Sequence, residues 1–309
     1  MNRLFRLIPY FGIAVALACF FLCSPAHSLL IPSPQITTND FFKFGVEKLL
    51  RSNYQEAIQD FSVAIKQNIK VGAAYSNRCL AYLQLKDYQN AIADCNEALN
   101  FTSNNVEAYL NRGLAHHRQG EYQAAIADNN QVIALNPYDF RAYYNRGMVY
   151  AALENYQQAI SDYNLALTQT PQISSLLLAD IYNERGLANF ELSNEKAVML
   201  DFSEAIRLNP NYYRAYYNRA CACGRSGDNR GAIADFTESL KLQPNNAHAY
   251  FNRGIAYHQL GHEEAAIVDL EKAAEYFGNQ GETVAYNKTL DAVNNLRQQL
   301  SSFSEIALI

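Results

Sequence analysis

The stretch RAYYNRGMVYAALENYQQAISDYNLALTQTP (141–171) decides the fold. Apolar residues recur at three- and four-residue steps through Met148–Leu153 and again from Ala159 to Leu167, the period of a helix with one buried face. LENY (153–156) between them reads as a tight turn. Small residues at facing positions, Gly147 and Ala159, let two helices approach closely, as ridges-into-grooves packing requires. The hexapeptide AYYNRG (142–147) returns as AYSNRC (74–79), AYLNRG (108–113), IYNERG (181–186), AYYNRA (215–220) and AYFNRG (249–254). Its arginines, Arg78, Arg112, Arg146, Arg185, Arg219 and Arg253, are spaced by 34, 34, 39, 34 and 34 residues. Asp60, Asp94, Asp128, Asp162, Asp201, Asp235 and Asp269 keep the same intervals, with one extra copy at the front. Seven repeats follow, with a five-residue insertion near TPQISSL (170–176), where Pro and Ser mark a loop. A fixed period of this size is the mark of a stacked array, in which no helix pair buries its apolar side alone.

These units resemble tetratricopeptide repeats. Tyr109, Gly113, Ala125 and Pro137 carry the pattern in repeat three, and Tyr143, Gly147, Tyr150, Ala159, Tyr163, Ala166 and Pro171 in repeat four. Val198, Asn129 and Ser103 depart from it locally. The resemblance implies an all-α fold, a right-handed superhelical solenoid of helix–turn–helix repeats over residues 39–278. GETVAYNKTLDAVNNLRQQL (281–300) reads as a capping helix, so the cap is assigned to 279–300 and a tail to 301–309. Asn39 or Asp40 is the expected cap of the first helix.

The N-terminus stands apart. MNRLFRLIPYFGIAVALACFFLCSPAHS (1–28) has Arg3 and Arg6, an apolar core from Leu7 to Cys23, and small residues at Ala26 and Ser28, the layout of a secretory signal. An uncleaved membrane anchor and a lipoprotein site at Cys19 are the alternatives. All three place the repeats across a membrane, in a periplasm or equivalent lumen, behind a Pro-containing leader at 29–38. The formal charge is −5, and removing residues 1–28 takes away two cations and no acid, giving −5 − 2 = −7. An acidic surface argues against nucleic acid as a partner.

No chemistry-bearing motif emerges. Cys221 and Cys223 lie two apart on one helix and point to different sides. Cys79 and Cys95 occupy a Gly slot and an aromatic slot of one repeat; they read either as small apolar filler or as a bridge in an oxidising compartment. His258 and His262 fall at an inter-helix turn, and His116–His117 lack a nucleophile pattern. No catalytic residue, metal site or cofactor is expected, and the chain is not read as an enzyme.

The resemblance also implies which residues face a concave groove. Slot six of each first helix places Asn77, Asn111, Asn145, Asn218 and Asn252 in a ladder along it, broken by Glu184. An Asn amide carries a donor and an acceptor, so it matches both groups of an extended peptide backbone. Slot two adds Glu107, Arg141, Asp180, Arg214 and His248; slot five adds Leu110, Tyr144, Tyr217 and Phe251 as apolar anchors. The expected function is a non-enzymatic scaffold or assembly factor that holds an extended protein segment. The alternative is a structural part of an envelope complex that uses the array's ends or convex face.

The repeated Arg falls at slot seven, on the buried stripe, where a lone charge is strongly disfavoured. Each is therefore expected to pair with an Asp. Joining each Asp to the next repeat's cation leaves none over: Asp60–Arg78, Asp94–Arg112, Asp128–Arg146, Asp162–Arg185, Asp201–Arg219, Asp235–Arg253 and Asp269–Lys288.

Overall fold

The computed structural model describes residues 40–169 and 174–306, with side chains as far as 300. The expected signal and leader, the Asn39 cap, most of the inserted loop and the side chains of the tail lie outside the described residues. Fifteen α-helices follow one another, with no strand among the described residues. They form seven helix pairs, α1/α2 (Asp40–Leu50, Tyr54–Lys66), α3/α4 (Val71–Gln84, Tyr88–Phe101), α5/α6 (Val106–Gln119, Tyr122–Leu135), α7/α8 (Phe140–Ala152, Tyr156–Thr168), α9/α10 (Ser175–Glu191, Glu195–Leu208), α11/α12 (Tyr213–Ser226, Asn229–Leu242) and α13/α14 (Ala247–Gln259, Glu263–Asn279). The last helix, α15 (Thr283–Ile306), packs on α14. The helices fall into two compact units, α1–α8 and α9–α15. Within each unit consecutive first helices touch one another, whereas second helices make at most marginal contact with each other. The first helices therefore line the inner side of each unit.

Two local devices set the geometry. The turn inside every pair contains a left-handed residue: Ser52, Lys86, Gly120, Glu154, Ser193, Gly227 and Gly261, with φ between 57° and 86°. This conformation reverses the chain within two or three residues and is cheap for Gly alone. The second device is a ring laid on bare backbone. A Cβ on Gly147 would lie 2.7 Å from the Tyr163 ring, and one on Gly186 2.7 Å from Phe202. Tyr163 and Phe202 are fully buried.

The slot-seven arginines are paired, but in a different register from the one expected. Arg146 donates from Nε and Nη2 to both carboxylate oxygens of Asp162, 2.8 and 2.7 Å away in the same repeat. Arg78 holds Asp94 the same way at 2.6 and 2.8 Å, and Arg112 holds Asp128 at 2.9 and 2.6 Å. In the second unit the pairs are Arg185–Asp201, Arg219–Asp235 and Arg253–Asp269. Asp60 is served by Lys48 of its own repeat at 2.8 Å, one turn beyond Phe44, so it needs no partner ahead of it. Lys288 is exposed, and Asp269 is committed to Arg253. The physical reason is antiparallel packing. A first helix and its own second helix lie side by side, so residues 16 apart face each other, and counting unmatched cations cannot override that.

The inter-repeat link is nevertheless present, through neutral groups. In five of the six the remaining Nη1 reaches back to the preceding repeat: Arg78 to Ser62 (2.7 Å), Arg112 to Asn96 (2.6 Å), Arg146 to Asn130 (2.6 Å), Arg219 to Ser203 (3.0 Å) and Arg253 to Thr237 (2.9 Å). Tyrosines one turn away flank the cation; Arg146 lies 5.7 Å from the Tyr143 ring and 6.0 Å from Tyr150. Bidentate donation to Asp162 raises the Arg146 pKa. The AYYNRG motif is thus a three-way joint: Tyr stacks, Arg binds carboxylate and neighbour, and Gly admits the ring of the second helix.

Candidate binding face

The inner face of the α1–α8 unit is built from slots two, six and nine of α3, α5 and α7. Asn77, Asn111 and Asn145 stand there half-buried, at one register 34 residues apart. Among the described residues none of the three amides has a hydrogen-bond partner. The residues that precede them on the neighbouring first helix explain this. Phe42 and Leu110 offer no acceptor, and Ser76 is short and buried. Half-buried Leu80 and Leu114 lie one turn from Asn77 and Asn111. At the edge of the face Arg141 donates to Glu107 at 3.0 and 2.7 Å and to the N-cap carboxylate of Asp139 at 2.9 and 2.7 Å. Hydrogen bonding to Asp139, then to Glu107, holds the Arg141 pKa above its usual range.

The same register in the α9–α15 unit is closed. Asn218 is fully buried and donates to Asn183 Oδ1 at 3.0 Å. Asn252, 3% exposed, donates to the Tyr217 hydroxyl at 3.0 Å. Each slot-six amide therefore reaches the slot-five residue of the preceding first helix, which is polar here. Glu184, the break in the ladder, is buried too, and Asn183 donates to it at 3.2 Å. Two members of the expected ladder are internal ties rather than groove residues.

The expected apolar anchors are also mostly core. Tyr217 is fully buried with its ring 5.6 Å from Phe236, and burial lifts its pKa well above the usual value. Tyr144 is 8% exposed with its ring 6.1 Å from Tyr163, and Leu110 is buried beside Val132 and Ala142. Slot five points down between neighbouring helices, where a large side chain fills the layer instead of the groove. Phe251 differs. With His248, Asn252, Phe277, Glu282, Thr283 and Lys288 it lines an open cavity of about 720 Å³ at the start of α15. Its floor is aromatic; the His248 and Phe277 rings meet edge-on at 4.9 Å. The Asn252 amide is fixed by Tyr217, which leaves Oδ1 without a hydrogen-bond partner among the described residues.

The charges of slot two pair across repeats. Besides Glu107–Arg141, His248 Nε2 lies 3.7 Å from Glu282, again 34 residues on. Asp180 sits near Tyr212 and Arg214; burial raises its pKa, and Tyr212 and Arg214 oppose the rise. Alternating sign at one slot was the readable signal of these ties.

Cys79 and Cys95 form a disulfide between α3 and α4, which decides between the two readings of that pair. Cys221 and Cys223 are buried and outside any disulfide; burial pushes Cys221 up strongly and Cys223 to about 11, so both stay protonated thiols. The Cys221 Sγ lies 3.8 Å from the Asn252 amide nitrogen. The Glu263 carboxylate accepts from His258 Nδ1 at 2.7 Å, closing its turn. Among the described residues no helix is long and apolar enough to cross a membrane, and no group of three His, Cys, Asp or Glu is placed to hold a metal.

Three family models match parts of the chain: a TPR repeat model at residues 79–120 and 222–261, and two tetratricopeptide repeat models, at 106–139 and 140–172 and at 247–279. None of the curated proteins matches the sequence. Among solved structures, a tetratricopeptide repeat protein from Parabacteroides merdae ATCC 43184 is similar over 82% of this chain and 98% of its own, with 20% identity and a TM-score of 0.63. YrrB, described as a TPR protein with an unusual peptide-binding site, is similar over 64% of this chain and 96% of its own, with 22% identity and a TM-score of 0.52. PilW, a type IV pilus biogenesis factor, is similar over 71% of this chain and 98% of its own, with 16% identity and a TM-score of 0.64.

Proposed function

The chain carries tetratricopeptide repeats in a solenoid of helix pairs, and from that premise we propose a non-enzymatic scaffold that holds an extended segment of a partner protein. One observation carries the reading: Asn77, Asn111 and Asn145 present unpartnered, half-buried amides at one register of the inner face. Neighbouring packed helices lie roughly 8–10 Å apart. Three residues of extended chain span roughly 10 Å. One amide per repeat therefore meets about every third residue of a bound backbone and pairs with its N–H and C=O. Leu80 and Leu114 offer shallow apolar contact between the amides. The cavity around Phe251 and Phe277 in the other unit suits an apolar side chain whose neighbouring N–H donates to Asn252 Oδ1. The peptide-binding description of YrrB and the pilus-biogenesis description of PilW support a scaffold reading by analogy of fold.

Export belongs to the same proposal. The signal-like residues 1–28 support it, and so does the Cys79–Cys95 disulfide, because such bonds persist in oxidising compartments. The mature chain is expected to begin near Leu29, which N-terminal sequencing of the protein from its own cell envelope reads directly; an intact Met1 in a cytosolic fraction overturns this half. For binding, the tagged protein is used to capture partners from that envelope fraction. The triple change Asn77→Ala, Asn111→Ala and Asn145→Ala is expected to lose the partners, and the second-helix change Gln157→Ala to keep them. Equal capture by both variants would assign binding to the ends or the convex face instead.

A further inference from the structure

In five of the seven repeats a bare or methyl-sized slot on the first helix meets an aromatic or aliphatic knob on the second, 16 residues on: Gly45–Phe61, Gly147–Tyr163, Gly186–Phe202, Ala220–Phe236 and Gly254–Leu270. The knob is fully buried in each. In repeat three Asn129 fills the slot, its amide bonded to the Ala125 carbonyl at 2.8 Å. Repeat two alone has Cys79 and Cys95 at these positions, both fully buried and joined covalently. Its Arg78–Asp94 pair is one residue before the bridge on each helix, so the ion pair and the bond clamp α3 to α4 side by side.

We propose that the disulfide is an oxidation-dependent latch that replaces the missing knob, so that the α1–α8 unit is fully assembled only after Cys79 and Cys95 are oxidised. Two sulfurs are far smaller than a Phe or Tyr ring, so repeat two lacks the packing that a knob gives its neighbours, and without the bond nothing replaces it. In a stacked array each repeat contacts only its neighbours. A loosened α3/α4 pair therefore uncouples α1 and α2 from α5 onward. Asn77 sits two residues before Cys79, so one rung of the inner face is lost with it. Formation of the bond removes two protons and two electrons from the thiols, which pass to a disulfide oxidant that ends as a dithiol. Because both sulfurs are fully buried, reversal requires opening of the repeat, and the folded latch resists reductants.

The test compares the full mature chain refolded with oxidised glutathione and then kept oxidised or reduced with a phosphine under mild denaturant, followed by its removal with the phosphine retained. Alkylation and mass measurement should find two alkylated thiols, Cys221 and Cys223, in the oxidised chain and four in the reduced one. Reduction is expected to speed amide exchange in α1–α4 at least tenfold while α9–α14 change little. The melting temperature of the first unit should fall by about 5–10 °C, the scale expected for losing a crosslink that closes a short loop. A second arm transplants the knob: the double variant Cys79→Gly with Cys95→Phe should exchange slowly in α1–α4 whether or not reductant is present. Four alkylated thiols in the oxidised chain, or unchanged exchange on reduction of the native sequence, overturns the latch. So does a folded knob variant as sensitive to reductant as the native chain. The native arm stands alone if the variant does not fold, and none of these readouts depends on partner binding.

Discussion

The two units share one skeleton and differ on their inner faces. In α1–α8 the slot-six amides follow Phe42, Ser76 and Leu110 and stay unpartnered; in α9–α15 they follow Asn183 and Tyr217 and are drawn inward. The same residue type at the same repeat position is an available hydrogen-bonding group in one unit and a structural tie in the other. What separates the two outcomes is the acceptor offered by the neighbouring helix. A buried amide without a partner is costly, so an acceptor within reach pulls the side chain into the layer.

The largest expected effect tests what the units share. Arg146→Leu leaves Asp162 buried without its cation and should destabilise the first unit by about 3 kcal/mol or more. The double change Arg146→Leu with Asp162→Leu should recover much of that, and Arg146→Leu with Asp128→Leu should not. Denaturant unfolding of the four proteins reads the coupling. A recovery with Asp128 instead of Asp162 contradicts the within-repeat register.

Acid should separate the units next. His117 of α5 is held down to about 4 by burial first and by Arg118 second, and its Nδ1 is buried without a partner. The folded pKa is below the unfolded 6.5, so the unfolded chain binds more protons between these values. Stability is then full above about pH 6.5 and falls as pH drops toward 4, by about 2 kcal/mol over that window. His117→Phe should flatten this part of the pH profile of the first unit. An unchanged slope would place the acid sensitivity in other groups.

The amide comparison itself gives a smaller effect. Asn218→Ala removes a buried bond and leaves Asn183 Oδ1 short of a donor, at a cost of about 1–2 kcal/mol. Asn145→Ala should change stability by less than about 0.5 kcal/mol, as surface substitutions do, while weakening partner capture. Equal destabilisation by the two changes would erase the distinction between tie and rung. The smallest expected effect concerns the turns. Lys86→Gly relieves a left-handed Lys and should gain roughly 0.5–1 kcal/mol, whereas Gly120→Ala at the equivalent turn should lose a similar amount; thermal melts of both variants check the opposite signs.

Periodicity alone determined much of this protein. The 34-residue interval, the helix pairs, the five-residue insertion and the close approach at Gly147 all follow from residue spacing, because backbone helicity and small-residue packing are set locally. That each slot-seven Arg needs an Asp also followed, since a buried charge demands a partner. Which Asp it takes did not. Residues 16 apart in one repeat and 18 apart across two are equally plausible along the chain, and only the side-by-side packing of a first helix with its own second helix chooses. The same holds for Asn145 and Asn218, or Phe251 and Tyr217: identical slots, opposite fates. Sequence position fixes the direction of a side chain on its helix, but whether it ends at a groove or in a layer depends on what the next helix brings against it.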